Sequence, residues 1–174
     1  ASFVLYGDVR DLSVALYRHW KGTASTADYI VLTIAVVGLI TTVFPAADAI
    51  ATGAKIGAKL LRRLPESAQR FIGEYSFLVI GEFFQGKKTK LFEFARFLNN
   101  LPGAIGAVIR IAPSIRNVDD AGRLIRLGAK SSDQVLLFNN IASAVEAITP
   151  EALRTQRTAE LMQVMSRHAD DTRA

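Results

Sequence analysis

A chain of 174 residues is long enough to bury a core without staples, and its lack of cysteine excludes disulfides along with cysteine-based zinc, iron–sulfur and thiol chemistry. Half of the residues are hydrophobic, mean hydropathy is +0.23, and 21 Lys and Arg stand against 16 Asp and Glu. This joining of oiliness with positive charge points to anionic membrane surfaces, with nucleic acid or an acidic partner as other answers to a charge of +5.

Strand-like alternation is rare, whereas Ala, Leu, Arg, Lys and Glu recur at helical spacing with Gly and Pro between segments. The expected fold is all-α: one helical domain over 1–174, with six or seven helices around an apolar central hairpin at 28–64. The opening from Ala1 to Asp8 lacks both a start methionine and the basic-then-apolar order of a signal peptide, so a cut from a longer chain is expected.

The first predicted helix, from about Asp8 to Lys21, puts Val9, Leu12, Leu16 and Trp20 on one stripe and Arg10, Asp11 and Arg18 elsewhere. Gly22 to Thr26 ends it, and Ser25 or Thr26 with Asp28 behind it supplies N-cap chemistry for the next. From Tyr29 to Ala47 no residue is charged, and Ile30 to Ile40 is apolar on every face. Such a run is either a bilayer-entering segment or a helix buried all round in a core. The residues expected to insert are Ile30, Ile34, Val36, Val37, Leu39, Ile40, Phe44 and Pro45. Proline then interrupts the run, and Ala49 to Leu64 resumes as a helix carrying Lys55, Lys59, Arg62 and Arg63, which suit both the helix dipole and phosphate headgroups. Ala49, Gly53 and Gly57 form a small-residue ladder for close helix contact, expected to let the hairpin fold on itself across Phe44-Pro45-Ala46.

Pro65 opens a helix to about Phe84 whose apolar side chains are interrupted only by Glu74 and Glu82, so it is expected to be buried or interfacial. A turn with Lys87 and Lys88, two further candidates for anionic lipid, leads to Leu91 to Leu98, where Phe92, Phe94 and Phe97 cluster at core spacing. Ala104 to Ala112 is apolar and ends at Pro113. Beyond Ile111 the composition is mixed: Asp119 to Leu127, Asp133 to Ile148, and a polar last helix from Pro150 into a linker-like tail.

Catalytic patterns are incomplete wherever they begin. Gly81 to Lys87 matches the start of a P-loop, but Lys88 stands where the magnesium-binding Ser or Thr belongs, and no strand–helix alternation comes after it. A basic helix–helix turn is the plainer assignment. His19 and His168 lie at opposite ends with no carboxylates to gather them, so both are expected at the surface, and no metal or cofactor is expected. Ser166, His168 and Asp170 lack a nucleophile elbow. Asp119 and Asp120 fit helix N-terminal charge. Lys87, Lys88 and Lys90 beside Phe92 and Phe94 are the sole nucleic-acid candidate, and core spacing of the phenylalanines argues against it.

The segment Val37 to Lys55, with Pro45 at a bend, the Asp48-Ala49 pair, then Gly53 and Lys55, resembles the apolar hairpins ahead of toxin domains in bacterial polymorphic toxins, including type VI secretion and contact-dependent inhibition effectors. Asn117 to Ala121 with Gly128-Ala129-Lys130 is similar to the stretch of chain downstream of such hairpins. The likeness covers roughly a third of the chain and departs in lacking a second long uncharged span. It implies a non-enzymatic part of a secreted antibacterial protein, shielded by a chaperone, an immunity protein or its own fold, that enters a target-cell membrane to translocate cargo or form a pore. The competing expectations are a soluble, cytoplasmic helical bundle that binds a partner protein through its exposed faces, and an enzyme whose site the motifs do not reveal.

Overall fold

The structure, a computed structural model, describes residues 4–45 and 48–171, and the side chains of residues 10–45 and 48–167. Among the described residues the fold is all-α, with nine α-helices and no strand. They are α1 (Val4–Lys21), α2 (Thr26–Val43), α3 (Ala49–Leu60), α4 (Glu66–Phe84), α5 (Thr89–Asn100), α6 (Ile105–Ile111), α7 (Val118–Lys130), α8 (Ser132–Ala147) and α9 (Arg154–Asp171). The count exceeds the six or seven expected: every segment parted by Pro102, Pro113 and Pro150 is a separate helix, each of those breaks marked by a single 3-10 turn, and Ser131 parts α7 from α8.

Local chemistry sets the ends. Ser25 is the N-cap of α2: its hydroxyl accepts from the Asp28 N–H while the Asp28 carboxylate accepts from the Ser25 N–H at 2.8 Å, a complete capping box. Pro45 follows the C-cap Phe44, and Asp48 caps α3 by accepting from the Ile50 N–H at 2.9 Å. Ala46 and Ala47, part of the expected apolar run and its bend, lie outside the described residues, as do Ala1 to Phe3 and the side chains of Val9, His168 and Asp170.

The core runs through α4, α5 and α7. Val79, Phe94, Leu98, Leu124 and Ile125 are fully buried there, and α8, which contributes the buried Phe138, closes over α7 together with α9. The sparse polar faces of α4 and α5 follow from this central position. Asp120, the buried member of the Asp119-Asp120 pair, accepts from Arg123 at 2.8 Å and Arg116 at 3.4 Å, and its N–H donates to Asn117, the N-cap of α7. A buried carboxylate is thereby fully paired at a helix start.

The expected hairpin contact takes a different form. Instead of pairing chiefly with each other, α2 packs on α4 and α3 on α5. Gly57 meets the Leu98 backbone carbonyl and Gly53 meets the Asn99 side chain, while Ala49 is exposed. The small-residue ladder therefore serves the α3–α5 crossing. On the other side, Gly73 of α4 admits the Tyr29 backbone of α2.

These contacts separate two glycine substitutions. Gly57→Ala is expected to destabilise the chain by about 2 kcal/mol or more in urea unfolding, because a methyl group would run into backbone. Gly38→Ala, with open space at its Cβ, should be neutral or stabilising by up to about 1 kcal/mol. Equal stability of the Gly57 variant and the parent would show that α3 and α5 are not in close contact.

Candidate functional site

Helix α2 is the one helix among the described residues long and apolar enough, by length and composition, to cross a membrane. Only five of its eighteen residues are buried: Asp28, Tyr29, Leu32, Val36 and Ile40. These form the stripe that lies on α4. The opposite stripe, Ala27, Ile34, Gly38 and Thr42, is exposed, with Ile34 at 53%. A core helix of this composition would be covered all round. The apolar run therefore has an inside and an outside that its composition does not distinguish.

Grooves border the open stripe on both flanks. One, of about 340 Å³, lies between α1, α2 and the end of α4, and is lined by Leu12, Val31, Ala35, Leu39, Ile80 and Phe84. The other, of about 270 Å³, lies toward α3 and is lined by Ile30, Val37, Ala58, Lys59, Arg62 and Ile72. Ile34 borders both.

The residues expected to insert thus divide. Ile34 and Pro45 are exposed, whereas Ile30, Val37 and Leu39 are half-buried along the grooves. Val36 and Ile40 are fully buried against the core, so as a group they do not form one outward surface. Phe44 is half-buried with its ring 5.4 Å from that of Phe92. Of the expected lipid-binding cations, Lys55, Lys59, Arg62 and Arg63 are exposed along the end of α3 and the 3-10 turn after it, with no carboxylate within ion-pair distance among the described residues. Lys87 and Lys88 are exposed in the α4–α5 turn, beyond Phe84 and away from that group in sequence. That turn occupies the P-loop-like stretch, and Gly81 to Phe84 are helical, so their amides are bonded within α4 instead of lining a loop. Gly86, at φ 83°, closes the helix as the Lys87 N–H donates to the Glu82 carbonyl.

Polar groups on α2 turn inward on the helix itself. Thr33 donates to the Tyr29 carbonyl at 3.1 Å, and Thr41 and Thr42 both donate to the Gly38 carbonyl at 2.9 Å. At its N-terminal end α2 is tied to α1: Arg18 donates to Asp28 at 3.1 Å, and His19 Nδ1 lies 3.2 Å from the Tyr29 hydroxyl. The His19 ring packs 4.1 Å from that of Phe77, a half-buried position that corrects the surface assignment. Trp20, expected on the buried stripe, is 76% exposed; Leu12, Ala15, Leu16 and His19 take the inward side instead.

Burial by itself would raise the pKa of Asp28, but hydrogen bonds from the Ser25 N–H, the Ser25 hydroxyl and Arg18 outweigh it and hold the carboxyl below the usual range. Tyr29 is shifted upward, mainly by burial and then by the charge of Glu74. Burial and Glu93 also raise Tyr75, in the core. Near it Glu93 Oε2 and Arg126 Nε are buried without a hydrogen-bond partner among the described residues, and neither side chain lines the grooves beside α2. Among the described residues no group of three or more His, Asp or Glu could hold a metal ion, and Ser166 is buried with its hydroxyl donating to the Gln163 carbonyl.

The two faces of α2 predict opposite responses to the same substitution. Val36→Glu should unfold the chain at neutral pH, a loss of about 4 kcal/mol or more, because it buries an unpaired carboxylate. Ile34→Glu should leave helical content intact by circular dichroism; loss of structure on that change would mean Ile34 is not at the surface. Asp28→Asn should cost about 1–2 kcal/mol at pH 7. Because the folded pKa is depressed, the stabilisation is full above the ordinary aspartate range near about 3.9 and is lost as pH falls through the folded value. The deficit of Asp28→Asn in urea unfolding should accordingly shrink as acid is added below that range; a constant deficit would contradict the assigned role. Compared with known proteins, the chain matches no family model, no curated protein and no solved structure.

Proposed function

We propose that this chain is a membrane-engaging helical module, in which α2 lays its open face on an anionic bilayer and then enters it to translocate cargo or form a pore. The observation that carries this reading is a helix that bears no charge after Asp28, with one side in the core and the other uncovered. A bilayer is the solvent for which such a surface is suited: the hydroxyls of Thr33, Thr41 and Thr42 are already satisfied within the helix, so they would not arrive in hydrocarbon unpaired. Lys59 and Arg62 line the groove beside Ile30, with Lys55 and Arg63 in the same stretch of chain, so exposed cations border the apolar surface. Each basic residue near an anionic surface contributes on the order of 1 kcal/mol, and each fully transferred Ile or Val about 1.5–3 kcal/mol. The resemblance to the hairpins of bacterial polymorphic toxins supports the same reading, and with it a secreted antibacterial protein that acts at a target-cell membrane under the protection of a chaperone or immunity protein. A helix of a partner protein is the other occupant these grooves would suit, since the two flank the open stripe at Ile34.

Co-sedimentation tests the reading. The purified chain should pellet with vesicles rich in phosphatidylglycerol and much less with phosphatidylcholine alone, and added salt should weaken the binding. Ile34→Glu should reduce partition roughly tenfold or more, and the pair Lys59→Glu, Arg62→Glu should remove the preference for anionic lipid. Dye release from the same vesicles separates entry from surface docking. A chain that stays in the supernatant with anionic vesicles at both neutral and acidic pH would overturn the proposal and favour the protein partner.

A further inference from the structure

We propose that Tyr17, Trp20 and Lys21, at the end of α1, form an anchor that sits among the headgroups of an anionic membrane and holds the N-terminal end of α2 at that depth; this rests on the membrane reading above. Trp20 is 76% exposed and Tyr17 59%, with ring centroids 6.4 Å apart. The Lys21 ammonium lies 5.7 Å from the centre of the Tyr17 ring and 5.3 Å from that of Trp20. A single exposed aromatic is ordinary. Two adjacent rings, each with an apolar body and a polar tip, beside an ammonium have the composition that settles at the boundary between water and hydrocarbon. There the rings lie among the upper acyl chains and glycerol groups, and the Lys21 ammonium exchanges the ring faces for lipid phosphate.

The corner is rigid enough to transmit its position. Gly22, at φ 73°, ends α1 while the Thr23 N–H donates to the Arg18 carbonyl at 2.9 Å. Two neighbouring residues of α1 hold the first turn of α2: Arg18 on Asp28, and His19 between Tyr29 and Phe77. Trp20 thus comes directly after the residues that fasten α1 to α2. The same half of α2 borders Lys59 and Arg62 through Ile30 and Thr33. Around that end Arg18, Lys21, Lys59, Arg62 and Arg70 outnumber Asp28, Glu66 and Glu74, and this positive balance selects an anionic phospholipid surface over a neutral apolar partner.

Trp20 is the sole tryptophan, so tryptophan fluorescence, excited selectively over the four tyrosines, reports on this corner alone. With phosphatidylglycerol vesicles its emission should shift to the blue, and lipids brominated near the top of the acyl chain should quench it more than lipids brominated near the bottom. Trp20→Ala and Tyr17→Ala should each lower vesicle partition, the former roughly tenfold, with unchanged helical content in circular dichroism. Pelleting of the chain with Trp20 emission still that of a water-exposed ring, or stronger quenching from the deep bromines, would overturn the anchor and leave the membrane reading standing. Failure to pellet at all would remove both.

Discussion

The crossing of α2 and α4 at Gly73 decides how the apolar segment is presented. Because Gly73 has no side chain, the Tyr29 backbone comes close against α4, and Leu32, Val36 and Ile40, at helical intervals from Tyr29, are carried into the core. The helical period leaves the complementary stripe outside. A side chain at position 73 would push α2 outward and loosen the packing of all three. The open face is thus a consequence of a tight contact on the opposite side, and the shape of the site depends on the one residue of α4 that is missing its Cβ at that contact.

Polar contacts then fix the helix lengthwise where apolar packing cannot. Apolar burial is non-directional, whereas the Arg18–Asp28 ion pair and the His19–Tyr29 contact set the register of α1 on α2, and the capping box at Ser25 holds the Asp28 carboxylate in place for it. The burial of Asp28 would oppose its ionisation if these partners were not present. Asp120 performs the corresponding task at the start of α7, where two arginines and an asparagine hold it. Both acids sit at helix N-termini, where the dipole also favours negative charge.

Much of the secondary structure was legible in the residues. Ser25, Asp28 and Pro45 mark the ends of α2 by their own chemistry, and Pro65 marks the start of α4. Phe94 and Phe97 are core residues as their spacing requires. Pairing was less legible. The Gly53 and Gly57 ladder states that some helix comes close, and its neighbour across Pro45 is the nearest in sequence, yet α5 is the one that fits. The exposure of Trp20 was hidden for a related reason: a stripe of Val9, Leu12, Leu16 and Trp20 fits helical spacing, but α2 contacts α1 slightly around the helix from it, where Ala15 and His19 lie. For α2 the difficulty was complete, since a segment apolar on every side carries no periodic signal of which side is covered.

The pattern of helix packing also bears on how α2 would leave the body without dissolving it. The α3–α5, α5–α7, α4–α7 and α7–α9 packings do not pass through α2, and the side chains at their centre, Phe94, Leu98, Leu124, Ile125 and Phe138, belong to α5, α7 and α8. Together α1 and α2 form an outer layer on α4. On the proposed reading, Leu32, Val36 and Ile40 would exchange protein neighbours for acyl chains that are equally apolar, a transfer with little hydrophobic driving force in either direction. The gain would come from the stripe that water already touches, and the loss from uncovering Ile72 and Val79 on α4. Closing that gap requires α4 to remain at the bilayer or α3 to move over it. The balance therefore turns on the exposed Ile34 and its half-buried neighbours more than on the buried residues that make the segment look so apolar.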